Sequence, residues 1–117
     1  MKNLQTFKHA INGITHVFKN EQNFKIHSIA AILVIIAGFF FSIDKTEWMI
    51  IIIAITSVIT LELLNSAIEY LCNFVSPDYN NKIKIIKDAS AGAVLIAAIG
   101  AFILGLVIFV PKFILLF

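Results

Sequence analysis

From Ala89 to Val110 the chain runs without a charged residue. Folded as a helix at about 1.5 Å per residue, such a run reaches across the roughly 30 Å hydrocarbon core of a bilayer. Two further runs precede it. One is Ile26–Ile43, and the other begins at Trp48 and stays uncharged from Met49 to Leu61. Three crossings of about 20 residues each take up about half of the 117 residues. Composition agrees: 60% of the residues are hydrophobic and only 14% are charged, where a soluble domain carries roughly 25% charge. A soluble globule this small has too much surface to tolerate so few charges. Neither an ordinary soluble domain nor a disordered chain fits. The chain reads as one all-α integral membrane domain, 1–117, and any chemistry sits in or against the membrane.

The predicted transmembrane helices cover 26–43, 48–71 and 89–110. Asp44-Lys45-Thr46-Glu47 is a polar turn, and Trp48 stands where an interfacial aromatic belongs. Ser76-Pro77-Asp78-Tyr79-Asn80-Asn81 is a loop by its turn residues. Lys82–Asp88 begins the third helix. Pro111 and Lys112 end its span, and the apolar tail Phe113–Phe117 is expected at the interface. Residues 1–20 are not a span. Leu4, Phe7, Ile11, Ile14 and Phe18 fall within an arc of about 80° at helical spacing. That pattern predicts an N-terminal amphipathic helix on the membrane surface; the alternative is a helix packed on other protein. Ala89, Ala93, Ala97, Ala101 and Gly105 form a small-residue stripe that lets another helix approach closely.

Lysines set the orientation. Lys2, Lys8, Lys19, Lys25, Lys82, Lys84 and Lys87 fall on one side of a three-span chain, and Lys45 and Lys112 fall on the other. The positive-inside rule then makes the N-terminus cytoplasmic and the protein a multi-pass component of the cytoplasmic (inner) membrane. No short apolar stretch with a small-residue cleavage site precedes the first span, which is therefore expected to be retained. Cys72 stands alone, so no intrachain disulfide is possible, and no basic block of the kind that tracks nucleic acid is present.

Chemistry is concentrated on the second helix. Glu62, Asn65, Glu69 and Asn73 project within an arc of about 80°. Acids in a membrane helix are expensive and need a reason. The outer half of this helix is apolar, so they lie toward its cytoplasmic end. Glu21, before the first span, and Lys87 and Asp88, at the start of the third, come to the same boundary by topology. Carboxylates suit Mg²⁺ that also holds phosphates. A lysine neutralises phosphate charge, and a carboxylate can take a proton from an attacking hydroxyl. These are the parts of a phosphotransferase, at a boundary where a water-soluble anion can meet a lipid headgroup. No Walker-type or kinase glycine loop is present.

Each residue also has a plainer reading. Glu62, Asn65 and Glu69 could be polar contacts between helices. Glu21 could be a solvated charge, and Lys87 a snorkelling lysine at a helix start. His9, His16 and His27 lack close metal-ligand spacing and read as interfacial; Asp78 and Tyr79 read as loop residues. Two non-kinase functions compete: a small proton-coupled transporter and a structural membrane subunit. Transporter sites sit near the midplane, whereas these acids cluster at one end.

Glu62-Leu63-Leu64-Asn65-Ser66-Ala67-Ile68-Glu69 resembles the signature of the prokaryotic diacylglycerol kinase family. Lys87-Asp88-Ala89-Ser90-Ala91-Gly92-Ala93-Val94 is similar to its second block, and Asn20-Glu21-Gln22-Asn23-Phe24-Lys25-Ile26-His27 to the segment carrying its N-terminal glutamate. The resemblance covers nearly the whole chain. It implies a homotrimer with sites between protomers, transferring the γ-phosphoryl of MgATP to the hydroxyl of a membrane lipid alcohol. By that resemblance Glu62 is the catalytic base, and Glu21 and Glu69 bind Mg²⁺ and ATP. Asn65, Lys87 and Asp88 are polar site positions, with Lys87 on phosphate, while Asp78 and Tyr79 meet the nucleotide. Asn73 stands where the family usually has Asp, and Asn80 or Asn81 where it often has His. For a basic nucleotide contact near the N-terminus the candidates are Lys2 and Lys8. Asn23–His27 and Ala91–Val94 resemble the undecaprenol kinase branch more than the diacylglycerol kinase branch, which modestly favours a polyprenol acceptor.

Overall fold

A computed structural model describes residues 2–117, with the side chain of Lys2 outside the described residues. Every regular element among them is a helix: α1 (Lys2–Asn20), α2 (Gln22–Phe40), α3 (Lys45–Val75) and α4 (Asn81–Leu116). The last three are each long and apolar enough to cross a membrane. α3 packs against all three of the others, most extensively against α4.

One residue separates α1 from α2. Glu21 is extended (φ −113°, ψ 115°) and makes no side-chain cap of its own, so its carboxylate is left for partners elsewhere. Asn20 Nδ2 donates to the carbonyl of His16 at 2.8 Å and closes α1. α2 therefore starts at Gln22, before the first apolar residue of the span.

The α2–α3 turn is tight at both ends. Ser42 N–H donates to Phe39 O (3.2 Å) and Ile43 N–H to Gly38 O (3.1 Å). This is the Schellman closure of a helix C-terminus. It places Ser42 at φ 51°, a conformation that usually falls to glycine, and α2 stops at Phe40 instead of running to Ile43. Asp44 Oδ1 then accepts from Glu47 N–H (2.8 Å), while Asp44 N–H donates to Glu47 Oε1 (3.0 Å). That reciprocal capping box starts α3 at Lys45.

At this end of the bundle the core is apolar. Ile43, Ile51 and Ile108 are buried together, and Trp48 and Phe109 pack on them. Gly38 lets Trp48 lie against α2, because a Cβ there would come within 2.6 Å of the indole. Lys112 Nζ meets Glu47 Oε2 at 3.1 Å and ties the end of α4 to the start of α3. α4 does not stop at Pro111; it continues to Leu116. Proline removes one N–H and crowds one carbonyl. In an apolar surrounding, leaving the helix strands more backbone groups than that.

The opposite end also buries polar residues, Glu62, Asn65 and Ser66, alongside the apolar Phe24 and Cys72. α1 crosses there, with Val17 buried and its apolar stripe of Leu4, Phe7, Ile11, Ile14 and Phe18 facing outward, uncovered by the chain itself. In α4, Ala97, Ala101 and Gly105 are half-buried, but Ala89 and Ala93 are exposed. A repeat of four drifts by about 40° per step on a helix. The stripe thus winds off the line that meets α3, which Val94 and Ile108 mark.

Candidate functional site

α3 supplies the backbone of the site. Glu62 lies 17 residues beyond Lys45, about 26 Å along the helix. That puts it about one turn short of where a roughly 30 Å hydrocarbon core ends. Its residue is only 4% exposed. The carboxylate is not left alone: His27 Nε2, from α2, lies 3.4 Å from Oε1. The carboxylates of Glu21 and Glu69 lie close enough to act on Glu62 electrostatically. Three acids therefore share one neighbourhood, two of them less buried than the third.

A hydrogen-bond chain crosses from α4 to α3. Ser90 Oγ donates to Asn65 Oδ1 at 2.6 Å. Asn65 Nδ2 donates to Glu69 Oε1 at 3.4 Å. The amide has no choice of orientation, since a carboxylate only accepts. Glu21 is reached from α3 by Tyr70, whose hydroxyl donates to Oε2 at 3.1 Å. His16 of α1 meets the Tyr70 ring edge-on, with centroids 5.8 Å apart. Asn23, His27, Glu62, Asn65 and Leu95 line a recess of about 300 Å³ between α2, α3 and α4.

A second recess, of about 270 Å³, lies at the α3–α4 loop. Asn73, Asp78, Tyr79, Lys84 and Lys87 line it. Lys87 Nζ donates to Asn73 Oδ1. Asn80 caps α4, its Oδ1 accepting from Lys82 and Ile83 N–H at 2.9 and 3.2 Å. Ser76 Oγ donates to Asp78 O at 3.0 Å, and Tyr79 OH to Asn81 Oδ1 at 3.4 Å. Between Glu62 and Asn73 the polar face of α3 extends about 16 Å, eleven residues of rise. It forms a strip from the buried acid to the loop lysine.

Of the residues singled out by sequence, Glu21, Glu62, Asn65 and Glu69 come together around the buried acid. Asp78, Tyr79 and Lys87 come together at the loop. Asp88 lines neither recess; its Oδ2 meets Lys84 Nζ, a residue of the loop recess, at 2.6 Å. Spacing alone gave no weight to His27, Tyr70 or Ser90. Their partners lie on other helices, and a histidine near a span end carried no metal-ligand pattern.

Among the described residues no group of three His, Cys, Asp or Glu side chains is arranged to hold a metal on its own. The donors present are carboxylate and amide oxygens, which suit Mg²⁺. That ion is commonly held by one or two carboxylates, with waters and substrate phosphates completing the shell. Glu21 and Glu69, two half-buried carboxylates, are of the kind that arrangement uses.

Comparison with known proteins gives concordant results. The prokaryotic diacylglycerol kinase family matches residues 8–109. An undecaprenol kinase of Bacillus subtilis (strain 168) is 42% identical over 108 residues, covering 92% of this chain and 88% of the relative. A diacylglycerol kinase of Synechocystis sp. is 35% identical, covering 92% of this chain and 62% of the relative. A diacylglycerol kinase of Escherichia coli (strain K12) is 30% identical, covering 78% and 75%.

Proposed function

The chain belongs to the prokaryotic diacylglycerol kinase family and is a multi-pass membrane lipid kinase, and on that premise we propose that it phosphorylates undecaprenol with MgATP at the cytoplasmic face of the inner membrane. The observation that carries the reading is a carboxylate, Glu62, buried at the polar end of an otherwise apolar bundle with two more acids beside it. The 42% identity to an undecaprenol kinase supports the polyprenol. The second reading is diacylglycerol, which the names of the other relatives favour.

In the transfer, the lipid oxygen forms a bond to the γ-phosphorus while the bond to the β-phosphate oxygen breaks. ADP leaves with that electron pair. Glu62 takes the hydroxyl proton. Glu21 and Glu69 would hold Mg²⁺, with Asn65 orienting Glu69. Bound there, Mg²⁺ supplies positive charge against the phosphates. Lys87 neutralises phosphate charge from the loop side, and Asp78 and Tyr79 border the nucleotide. Asp88 would act at the loop recess through Lys84, with which it pairs.

A homotrimer with sites between protomers belongs to the same proposal. An uncovered surface supports it, a hydroxyl-bearing patch of Thr56, Ser57 and Thr60 exposed along α3, of the residue type enriched between membrane helices. The lysine distribution supports a cytoplasmic N-terminus. Lys2, one of the two candidates for a basic nucleotide contact, has its side chain outside the described residues; Lys8 is exposed on α1.

The test uses purified protein in mixed micelles with Mg²⁺ and γ-labelled ATP, offered undecaprenol or diacylglycerol. Label in undecaprenol above that in diacylglycerol is expected, and the reverse order selects the second reading. Glu62→Gln should abolish transfer and leave ATP binding in place. Normal turnover in that variant removes Glu62 as the proton acceptor.

A further inference from the structure

Glu62 is met by a residue to which the sequence assigned no catalytic role. Among the described residues, His27 is the one basic side chain within ion-pair distance of its carboxylate, at 3.4 Å from Nε2 to Oε1. His27 also borders two spaces at once. On one side is the polar recess with Asn23, Glu62 and Asn65. On the other an apolar groove of about 270 Å³ runs along the bundle, with α2 and α4 as its walls and α3 as its floor. Small side chains keep it open: Ala30 and Ala31 on α2, Ala54 on α3, Ala98 and Ala101 on α4. His27 and Ala98 are common to the groove and the recess. The imidazole therefore stands where the two spaces meet, half-buried, with Nε2 toward the acid.

We infer that His27 is a positioning residue for the transfer: its Nε2 holds Oε1 of Glu62 where the apolar groove meets the polar recess, leaving the second carboxylate oxygen for the hydroxyl of a lipid whose chain lies in the groove. The inference rests on Glu62 being the proton acceptor. His27 itself gains and loses no proton; the proton passes from the lipid hydroxyl to Glu62 as the oxygen–phosphorus bond forms and the bond to ADP breaks. A 3.4 Å contact is long for a hydrogen bond, but such contacts at reactive sites shorten when substrate binds. Without a partner, a carboxylate at the end of three rotatable bonds samples several positions, and misplacement of about 1 Å can cost about a hundredfold in rate.

Two substitutions separate positioning from mere bulk. His27→Phe keeps the ring and removes the nitrogen. His27→Gln keeps an N–H donor near the same place and gives up the ring. Both are assayed in mixed micelles, with undecaprenol varied at saturating MgATP and then the reverse. Helicity by circular dichroism and binding of a fluorescent ATP analogue serve as controls on folding. His27→Phe should lower kcat by about tenfold to a hundredfold with the KM for ATP unchanged, and His27→Gln should recover most of that loss. Full activity in His27→Phe overturns the inference. So does a His27→Gln as slow as His27→Phe, or a loss confined to the KM for the lipid, which would make His27 a groove wall only. Glu62→Gln runs alongside. If it is inactive while His27→Phe is not, only the role of His27 fails. If it turns over normally, the proton-acceptor reading fails first.

Discussion

Replacing Ser90 with Ala removes one hydroxyl from α4 and tests the hydrogen-bond chain that fixes Asn65. In the native protein Ser90 Oγ donates to Asn65 Oδ1 at 2.6 Å, and the other end of the amide faces Glu69. Asn65 is 7% exposed, so its carbonyl oxygen has little access to water once the hydroxyl is gone. In a soluble core an acceptor stranded this way costs about 1–3 kcal/mol. Between membrane helices the measured worth of such a bond averages about 0.6 kcal/mol and peaks near 1.7, because the unfolded chain in the membrane also finds partners. Asn65 lies at the boundary, so the expected cost is about 1 kcal/mol, a factor of about five in the folding equilibrium. The assay is reversible unfolding in mixed micelles by added denaturing detergent, followed by Trp48 fluorescence and helicity. It compares the wild type, Ser90→Ala, Asn65→Ala and the double variant. A coupling energy of about 1 kcal/mol between the two sites is expected. A value under about 0.3 kcal/mol, the range of independent sites, refutes the chain. Because the same hydroxyl aims Asn65 at Glu69, Ser90→Ala should also raise the KM for ATP.

Three further substitutions have defined outcomes. Gly38→Ala places a Cβ 2.6 Å from the Trp48 ring; a rigid indole cannot yield that much, so the same unfolding assay should show a loss of about 1–3 kcal/mol. Ser42→Gly relieves a left-handed serine at φ 51° and should stabilise the protein by up to about 1 kcal/mol without changing turnover; a loss of stability would mean the hydroxyl matters more than the backbone. Lys87→Met keeps the length of the side chain and removes its charge at the loop recess. One charged hydrogen bond worth about 1.5–3 kcal/mol corresponds to at least a tenfold rise in the KM for ATP, and an equal rise for lipid and ATP would argue against a phosphate contact.

The fold was legible where a single periodicity decides it. The amphipathic stripe of α1 and three long apolar runs follow from one-dimensional patterns, and each became a helix. Helix ends were less legible. Glu21 interrupts the chain for one residue because Asn20 closes α1 onto His16, which hydropathy does not register. Ser42 takes a conformation that sequence assigns to glycine, so α2 ends before its apolar run does. Pro111 looks like a stop, yet α4 continues through it to Leu116.

The same distinction explains which parts of the site could be read. Glu62, Asn65 and Glu69 share a face because they share a helix, and that follows from spacing. What each of them meets depends on how the neighbouring helices are rotated about their own axes. Lys87 and Asp88 are adjacent in sequence but point about 100° apart. Lys87 turns to Asn73 on α3, while Asp88 turns outward to Lys84 on its own helix. No count of residues predicts which of the two looks inward; the buried line of α4 through Val94 and Ile108 decides it. His27 is the strongest case. Along its own helix it is one polar residue at the edge of an apolar run, which is where a histidine with no task would also sit. Only the approach of α3, with Glu62 at the matching depth, turns that position into a contact with the one acid the bundle buries.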